Sequence, residues 1–211
     1  MTDGTTIYFN DTETHTFHAY YPYQSDGGTV TVSTAADKQG ADIDFLFASG
    51  ATGDTHNPTV SFTGDHAFHH CMSLIKFTFK AGDGLSFNET EPAGYTLEGL
   101  KHEGTFDTAT GTTAVTAASE SPITMQLGGA TTSQVIILPQ EVTSSLNLKV
   151  SYNGQSYNAQ LKLPATPTAN FYTAGYAYTY NITLNNKDIE VSDPTINPWE
   201  SGDSNDASAE L

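Results

Sequence analysis

The most constraining feature of this sequence is a strict two-residue alternation toward its C-terminal end. Large apolar or aromatic side chains occupy every second position there, at Tyr176, Tyr178, Tyr180, Ile182 and Leu184. Small or polar residues fill the positions between them. Because successive side chains of a β-strand point to opposite faces, the pattern predicts a strand with one face on a core and one in water. An Asn-Asn-Lys turn, followed by Ile189 and Val191, predicts a short partner strand.

A second stretch predicts a pair of strands together with their register. Apolar residues alternate through Leu146–Tyr152 and again through Tyr157–Leu163, on either side of Asn153-Gly154. Asn-Gly suits a two-residue type I′ turn, since both residues tolerate positive φ. This turn predicts three cross-strand pairs on one face: Val150 with Tyr157, Leu148 with Ala159, and Leu146 with Leu161.

Shorter alternating runs fill the rest of the chain, and no window shows the 3.6-residue period of a helix. The strongest run is Phe68–Phe79, whose start is apolar on both faces, as expected of a strand that passes from a covered region to a half-exposed one. Many short strands joined by turns predict an all-β fold of two tandem antiparallel β-sandwiches of the Greek-key type.

A polar stretch with Pro and Gly at Glu89–Gly94 predicts the domain boundary. We therefore expect an N-terminal sandwich at residues 1–90 that lacks its first strands, a C-terminal sandwich at residues 91–200, and a flexible acidic tail at residues 201–211.

The charge balance excludes one class of partner. The 211 residues include 24 Asp and Glu against 7 basic residues, all of them lysine, which gives a formal net charge of −17. Such a chain repels phosphates, so we expect no nucleic-acid partner and no docking on anionic lipid. The acidic surface is most simply explained as keeping the protein soluble.

Residue types that bind metals or act as nucleophiles come together in one segment, at His66, His69, His70 and Cys71. In a strand His69 and His70 point to opposite faces, so they cannot share one ion, and the spacing of a zinc site is missing. Asp42 and Asp44 lack a calcium-loop motif and are better explained as a solvated charged face. Since no triad, carboxylate pair or cofactor loop is recognisable, we predict no metal, no cofactor and no enzymatic activity.

Three tyrosines, Tyr20, Tyr21 and Tyr23, surround Pro22 at the end of a predicted strand. A tyrosine ring at a strand end can stack on a sugar ring, so these residues are a candidate glycan-stacking site. Core and edge packing is the competing explanation, because aromatic residues are enriched in strands. A carbohydrate-binding surface lipoprotein module is thus the alternative function for this chain.

Three motifs support a family resemblance. Phe171 and Gly175 precede the alternating strand, and Ile196-x-x-Trp199 follows it. The run FHHCMSLIKF at Phe68–Phe77 and the run IILPQ at Ile136–Gln140 lie upstream. In this order the motifs resemble the C-terminal signature, a central strand and a strand end of the fimbrillin-like family, which comprises surface lipoproteins and pilus subunits of the Bacteroides group.

The resemblance implies a function and a working site. Members of the family contain two transthyretin-like sandwiches, and its pilins polymerise by strand addition, in which a segment of one subunit fills a groove in the next. We therefore expect a non-enzymatic pilus (fimbrial) subunit, or a tip adhesin, whose partners are other pilus subunits and a surface glycan or protein. An acceptor groove is expected in the short first sandwich, lined by Ile7, Phe9, Phe17 and Ile75.

The segment that follows Trp199 is acidic and does not alternate. The chain is therefore expected to be a strand acceptor, a capping subunit or a tip subunit rather than a repeating stalk unit.

The same resemblance implies a location at the cell surface, either fimbrial or anchored to the outer membrane. No apolar run approaches the roughly 20 residues that span a bilayer. The start of the chain, Met1–Phe9, shows neither an export signal nor a lipidation cysteine. Contact with the membrane is therefore expected only through a lipid anchor upstream of this chain.

Overall fold

The computed structural model describes residues 8–116 and 121–200; the predicted acidic tail at 201–211 lies outside them. Their regular structure is almost entirely β, which confirms the prediction of an all-β fold. The strands are β1 (His15–Tyr21), β2 (Thr29–Ser33), β3 (Leu46–Gly53), β4 (His69–His70), β5 (Ser73–Ala81), β6 (Gly94–Glu98), β7 (Glu103–Asp107), β8 (Thr113–Val115), β9 (Ile123–Gln126), β10 (Thr132–Ile137), β11 (Gln140–Glu141), β12 (Leu146–Tyr152), β13 (Gln155–Leu161), β14 (Phe171–Tyr172), β15 (Tyr176–Leu184), β16 (Ile189–Val191) and β17 (Thr195–Pro198).

Helical structure in the described ranges is confined to short 3₁₀ turns at Ala36–Lys38, Ala41–Ile43 and Gly64–His66. None of these turns has the length or the apolar character to cross a membrane.

The largest sheet has β5 and β15 at its centre. Its strand order is β10-β5-β15-β16, and β17 pairs with the first half of β15. The strand β15 covers the predicted alternating stretch from Tyr176 to Leu184. It runs parallel to β5, with Leu74 opposite Ala177 and Ala81 opposite Leu184. The prediction of antiparallel sheets holds for the other ladders, and this one is the exception because residues 82–175 are long enough to return the chain to the same end of the sheet.

Strand pairing crosses the boundary that the sequence predicts at residue 90. The strand β5 precedes this boundary, yet both of its neighbours, β10 and β15, follow it. The strands β2 and β7 also pair across it, with Val30 opposite Phe106. Residues from both sides contribute to each of two hydrophobic cores. The polar stretch Glu89–Gly94 therefore does not mark a break between independent sheets.

The larger core lies between the central sheet and a four-stranded sheet of order β13-β12-β6-β9. Ile75 and Phe77 of β5 and Tyr178 of β15 are completely or almost completely buried there. The ring of Phe77 meets that of Tyr95 from the opposite sheet at 5.0 Å. Full burial of side chains of this size contributes about 1.5–3 kcal/mol each, so this interface is the main apolar contribution to stability.

The second core covers the other face of the central sheet at one end. Leu74 and Ala177 point into it and pack with Phe45 and Phe106, whose rings are 4.5 Å apart. Leu74 and Ile75 point to opposite faces of β5, and both are 0% exposed. The start of β5 is therefore covered on both sides, as its sequence predicts, while Lys76 and later polar positions are partly exposed.

The predicted hairpin forms with its predicted register. Val150 lies opposite Tyr157, Leu148 opposite Ala159, and Leu146 opposite Leu161. Asn153 and Gly154 take φ values of 49° and 70°, the left-handed conformations that a type I′ turn requires.

Buried tyrosine hydroxyls in the larger core are hydrogen-bonded to one another and to the backbone. The hydroxyls of Tyr172 and Tyr180 lie 3.0 Å apart, and Tyr180 donates to the carbonyl oxygen of Lys162 at 2.8 Å. Burial raises the pKa of Tyr180 and of Tyr95 to about 12, and raises that of Tyr172 well above its usual value.

We predict that the protein loses stability between about pH 10 and pH 12. Tyrosines of the unfolded chain ionise near pH 10, whereas the buried ones keep their protons until about pH 12. Because the folded state binds more protons in this window, raising the pH favours unfolding. Denaturant midpoints measured across the window, together with tyrosinate absorbance, test this. Tyr172→Phe should flatten the pH dependence and Tyr23→Phe, at an exposed site, should not; a pH-independent midpoint would contradict the prediction.

Candidate functional site

Residues from two of the sequence motifs meet at one end of the central sheet. The imidazole of His70 stacks on the indole of Trp199, with ring centroids 3.9 Å apart and planes within 3°. Its Nδ1 lies 2.8 Å from Oδ1 of Asp44, and all three residues are buried. Asp44 was predicted on a solvated face with Asp42, but it is 8% exposed and bonded to His70, while Asp42 is exposed.

Backbone bonds join the same residues to the start of β15. The N–H of Trp199 donates to the carbonyl oxygen of Gly175 at 2.7 Å, and the N–H of Gly175 donates to that of Met72 at 2.8 Å. Trp199 thus holds the end of β17 against β15 and against the junction between β4 and β5. These bonds and the ring stacking hold this end of the central sheet in place.

Cys71 and its histidine neighbours His66 and His69 make separate contacts. Burial, with a smaller contribution from the Asp44 carboxylate, raises the pKa of the Cys71 thiol to about 12, so it is no nucleophile at neutral pH. His69 is exposed and contacts Phe47 edge-on, while Nδ1 of His66 lies 2.9 Å from the carbonyl oxygen of Ser49. Across residues 8–116 and 121–200, no group of three or more His, Cys, Asp or Glu is placed to hold a metal ion.

Only part of the predicted acceptor groove comes together. The rings of Phe9 and Phe17 meet edge to face at 6.0 Å, and both are half-buried. Ile75 lies elsewhere, fully buried in the larger core between β10 and β15, so it cannot line an open groove. Ile7 lies outside the described residues.

Phe9 and Phe17 form a small apolar surface on the sheet β1-β3-β4, outside both buried cores. Phe9 and Val60 both lie over Gly53 of β3, where an added Cβ would come within 3.1 Å of each. We refer to Phe9, Phe17 and Val60 as the Phe9–Phe17 surface. It adjoins β1, which is an edge strand of its sheet.

The three candidate glycan-stacking tyrosines do not form one platform. Tyr20 packs against the second core and donates its hydroxyl to the carbonyl oxygen of Gln24 at 3.2 Å. Tyr21 and Tyr23, on either side of Pro22, are 43% and 80% exposed. Two of the three are therefore available to a ligand.

Glutamine side chains occupy places where a neighbouring strand would otherwise pair. The side-chain amide of Gln39 accepts a hydrogen bond from the N–H of Ile136 at 2.8 Å and donates one to the carbonyl oxygen of Ile136 at 2.9 Å. Both bonds lie on the side of β10 that faces away from β5. Gln140 makes the same two bonds with the backbone of Lys101, at 2.9 and 3.0 Å. Gln140 is the last residue of the IILPQ motif, so a sequence signal marked it, whereas nothing in the sequence marked Gln39.

A family comparison fits these motifs. The model of the family described as fimbrillin-like matches residues 1–199. The chain belongs to the fimbrillin-like family. This confirms the resemblance inferred from the three motifs.

Relatives with known names or structures support the same assignment. A Bacteroides uniformis protein named "Putative fimbrium subunit Fim1C" is 30% identical over an alignment of 211 positions, which covers 95% of this fimbrillin-like chain and 67% of the relative. Two crystal structures, each described as a "putative cell adhesion protein", share 27% identity with it. The one from Bacteroides uniformis has a TM-score of 0.78 and covers 94% of this chain and 78% of its own. The one from Bacteroides ovatus has a TM-score of 0.77, and the match covers 95% of this chain and 74% of the Bacteroides ovatus chain.

We predict that Gln39→Ala lowers the free energy of unfolding of this fimbrillin-like protein by about 1–3 kcal/mol. The substitution leaves the N–H and the carbonyl of Ile136, a residue that is 6% exposed, without their partners. Denaturant titration measures the change. Gln160→Ala, at an exposed position, is the control and should change stability by less than about 0.5 kcal/mol. Equal effects of the two substitutions would refute this role of Gln39.

Proposed function

We propose that this fimbrillin-like protein is a non-enzymatic structural or adhesive subunit of a fimbria and joins other subunits by β-strand addition. The observation that carries the proposal is the family match over residues 1–199, together with a relative whose name is that of a fimbrium subunit. In strand addition the main-chain hydrogen bonds supply affinity and alternate side chains supply register. Its place of action is the cell surface or the fimbria itself.

The Phe9–Phe17 surface is the acceptor region that we propose. It is apolar, half-buried and next to the edge strand β1, so an incoming strand would cover aromatic rings while pairing with backbone. The N–H of Cys71 donates to the carbonyl oxygen of Phe45. The backbone N–H and C=O groups of Phe45 and Phe47 therefore point toward β4, and those of the residues between them point toward β1. The alternation of antiparallel bonds then directs the backbone groups of Tyr20 outward from β1.

An acceptor role fits the structure better than a donor role. The last strand of the described residues, β17, already pairs with β15 and ends at the buried Trp199. Withdrawing it to donate to another subunit would expose the indole and break the stacking on His70.

We expect a peptide with the sequence of a donor strand to raise the melting temperature. The probes are synthetic peptides that tile the terminal segments of the Fim1C relative. A peptide present at about 100 times its Kd should stabilise the fold by about 2.7 kcal/mol, a shift of about 5–10 °C for a chain of this size. Differential scanning calorimetry measures the shift. If no peptide of the set shifts the transition, the proposed acceptor role is wrong.

Matched variants locate the acceptor. Phe17→Asp places a charge on the Phe9–Phe17 surface and should abolish the shift. Thr16→Asp places the same charge on the exposed opposite face of β1 and should leave it. Phe17→Ala removes the ring without adding a charge and should also reduce the shift. A far-UV circular dichroism spectrum like that of the unmodified protein shows that the binding surface, and not the fold, has been lost.

Glycan binding is a second candidate function, favoured by the exposure of Tyr21 and Tyr23. Rings on either side of a proline at a strand end present flat apolar faces on which a sugar can stack. We expect any glycan captured on an array to bind about tenfold more weakly to Tyr23→Ala. Tyr20→Phe, which alters only an inward hydroxyl, should bind as the unmodified protein does. Binding that survives Tyr23→Ala would exclude these rings.

A further inference from the structure

Residues 58–63, with the sequence PTVSFT, lead from the end of β3 into the 3₁₀ turn that precedes β4, and we call this segment the strap. Val60 and Phe62 are half-buried, whereas the other residues of the strap are exposed. Such an alternation is that of an extended segment with one side on a surface. Thr63 is extended accordingly, with φ of −132° and ψ of 165°.

The surface under the strap is the face of β3 that adjoins the Phe9–Phe17 surface. A Cβ placed on Gly53 would lie 3.0 Å from Cγ2 of Val60 and 3.1 Å from Cζ of Phe9, so both side chains pack directly on the backbone of β3. Residues two apart in a strand share a face, and Ala51, which is 2% exposed, therefore lies on the same covered face. The inward side of the strap thus covers small residues of β3.

The strap is held by side chains and by its ends rather than by strand pairing. Between described residues, no hydrogen bond is formed by the backbone of residues 58–62. The N–H of Asn57 donates to Oδ1 of Asp54 at 2.7 Å, and beyond the strap the ring of His66 is bonded to the backbone of β3 at 2.9 Å. Between these points only Val60 and Phe62 are directed inward. A segment with few buried apolar contacts and no ladder opens at a lower free-energy cost than a paired strand.

The strap makes one half of the contacts that an added strand makes. In strand addition, alternate side chains fill a surface while the main chain pairs with a sheet edge. The strap supplies such a side chain, since Val60 belongs to the Phe9–Phe17 surface, but it forms no ladder. Among the described residues β3 is the only strand that pairs with β1, so the outer edge of β1 stays available. A donor strand that supplied both kinds of contact would therefore compete successfully with the strap.

We propose that the strap is a displaceable cover of the acceptor: it occupies the Phe9–Phe17 surface in the free subunit and moves off when a donor strand binds. This inference rests on the proposed acceptor function. Only molecules with an open strap bind a donor, so the apparent affinity is reduced by the open fraction. The cover thereby protects the free subunit from unspecific pairing at an apolar strand edge.

Thiol labelling measures strap opening in the full chain without a donor. Ala51→Cys introduces a thiol on the covered face of β3, and the native Cys71, which is 2% exposed in the second core, reports global unfolding in the same molecule. We expect an aromatic disulfide reagent to label the introduced thiol at least about tenfold faster than Cys71, at a rate that urea below the unfolding transition does not change. Equal rates at the two thiols would overturn the proposal.

A matched pair of substitutions shows whether the strap controls this labelling. Val60→Ser removes an inward apolar side chain and should speed labelling of the introduced thiol about tenfold. Thr59→Ser, at an exposed position of the strap, should leave the rate unchanged. If the two substitutions have the same effect, the strap is not the segment that opens.

A disulfide connects the strap to donor binding. Gly53→Cys combined with Val60→Cys joins the strap to β3, since a Cβ on Gly53 already contacts Val60. The oxidised variant should not bind a donor peptide that stabilises the unmodified protein, and reduction should restore binding. Val60→Ser should bind the same peptide about tenfold more tightly, because a larger fraction of its molecules is open.

The outcomes separate the cover from the acceptor. If the oxidised variant binds the peptide as well as the reduced one, or if Val60→Ser binds it more weakly, the acceptor stands and the strap is not its cover. If no peptide binds even Val60→Ser, the acceptor function itself is wrong, and a strap that opens in the labelling experiment does not serve it.

Discussion

The parallel ladder between β5 and β15 is the interaction on which the rest of the structure depends. Residues that lie opposite each other on the two strands point to the same face of the sheet. Ile75 and Tyr178 therefore point into one core, while Leu74 and Ala177 point into the other. Both cores thus rest on the same two strands. Because β5 and β15 lie about a hundred residues apart in sequence, this ladder costs more loop-closure entropy than any hairpin of the chain. Its burial on both faces at one end compensates for that cost.

The ends of this sheet are held by side chains as well as by strands. Trp199 stacks on His70 and fixes β17, while Gln39 fills the outward bonds of β10 with an amide that imitates a peptide group. These arrangements complete the sheet within one chain, so another molecule cannot extend it there without displacing them. The edge at β1 differs, since within the described residues no glutamine or tryptophan side chain closes it in this way.

Local pattern predicted the strands of this chain well because the two-residue period reports directly which side chains share a face. The hairpin register followed from Asn153-Gly154, whose backbone conformation admits only one pairing of the flanking residues. Periodicity does not say which core a buried face joins, and for that reason Ile75 was assigned to a groove with Phe9 although it lies in the larger core. The polar stretch near residue 90 did not predict a break between sheets, because a polar loop can interrupt the chain while the strands on either side of it pair in one sheet. Gln39 left no signal because its role depends on a partner about a hundred residues away, Ile136.

The acidic composition of the chain is compatible with the backbone-mediated assembly that we propose. Coulomb repulsion between two chains of net charge −17 acts over the Debye length of about 8 Å at physiological salt, whereas ladder bonds act at about 3 Å. A contact made by side-chain ion pairs would need basic residues, and the chain has only 7. Peptide groups, in contrast, are present at every residue and carry no net charge. Repulsion then suppresses association at most surfaces, and uncharged strand edges remain the places where close approach is rewarded. In the proposed assembly, the composition thus restricts where subunits meet, and the fold decides which strand edges are open to them.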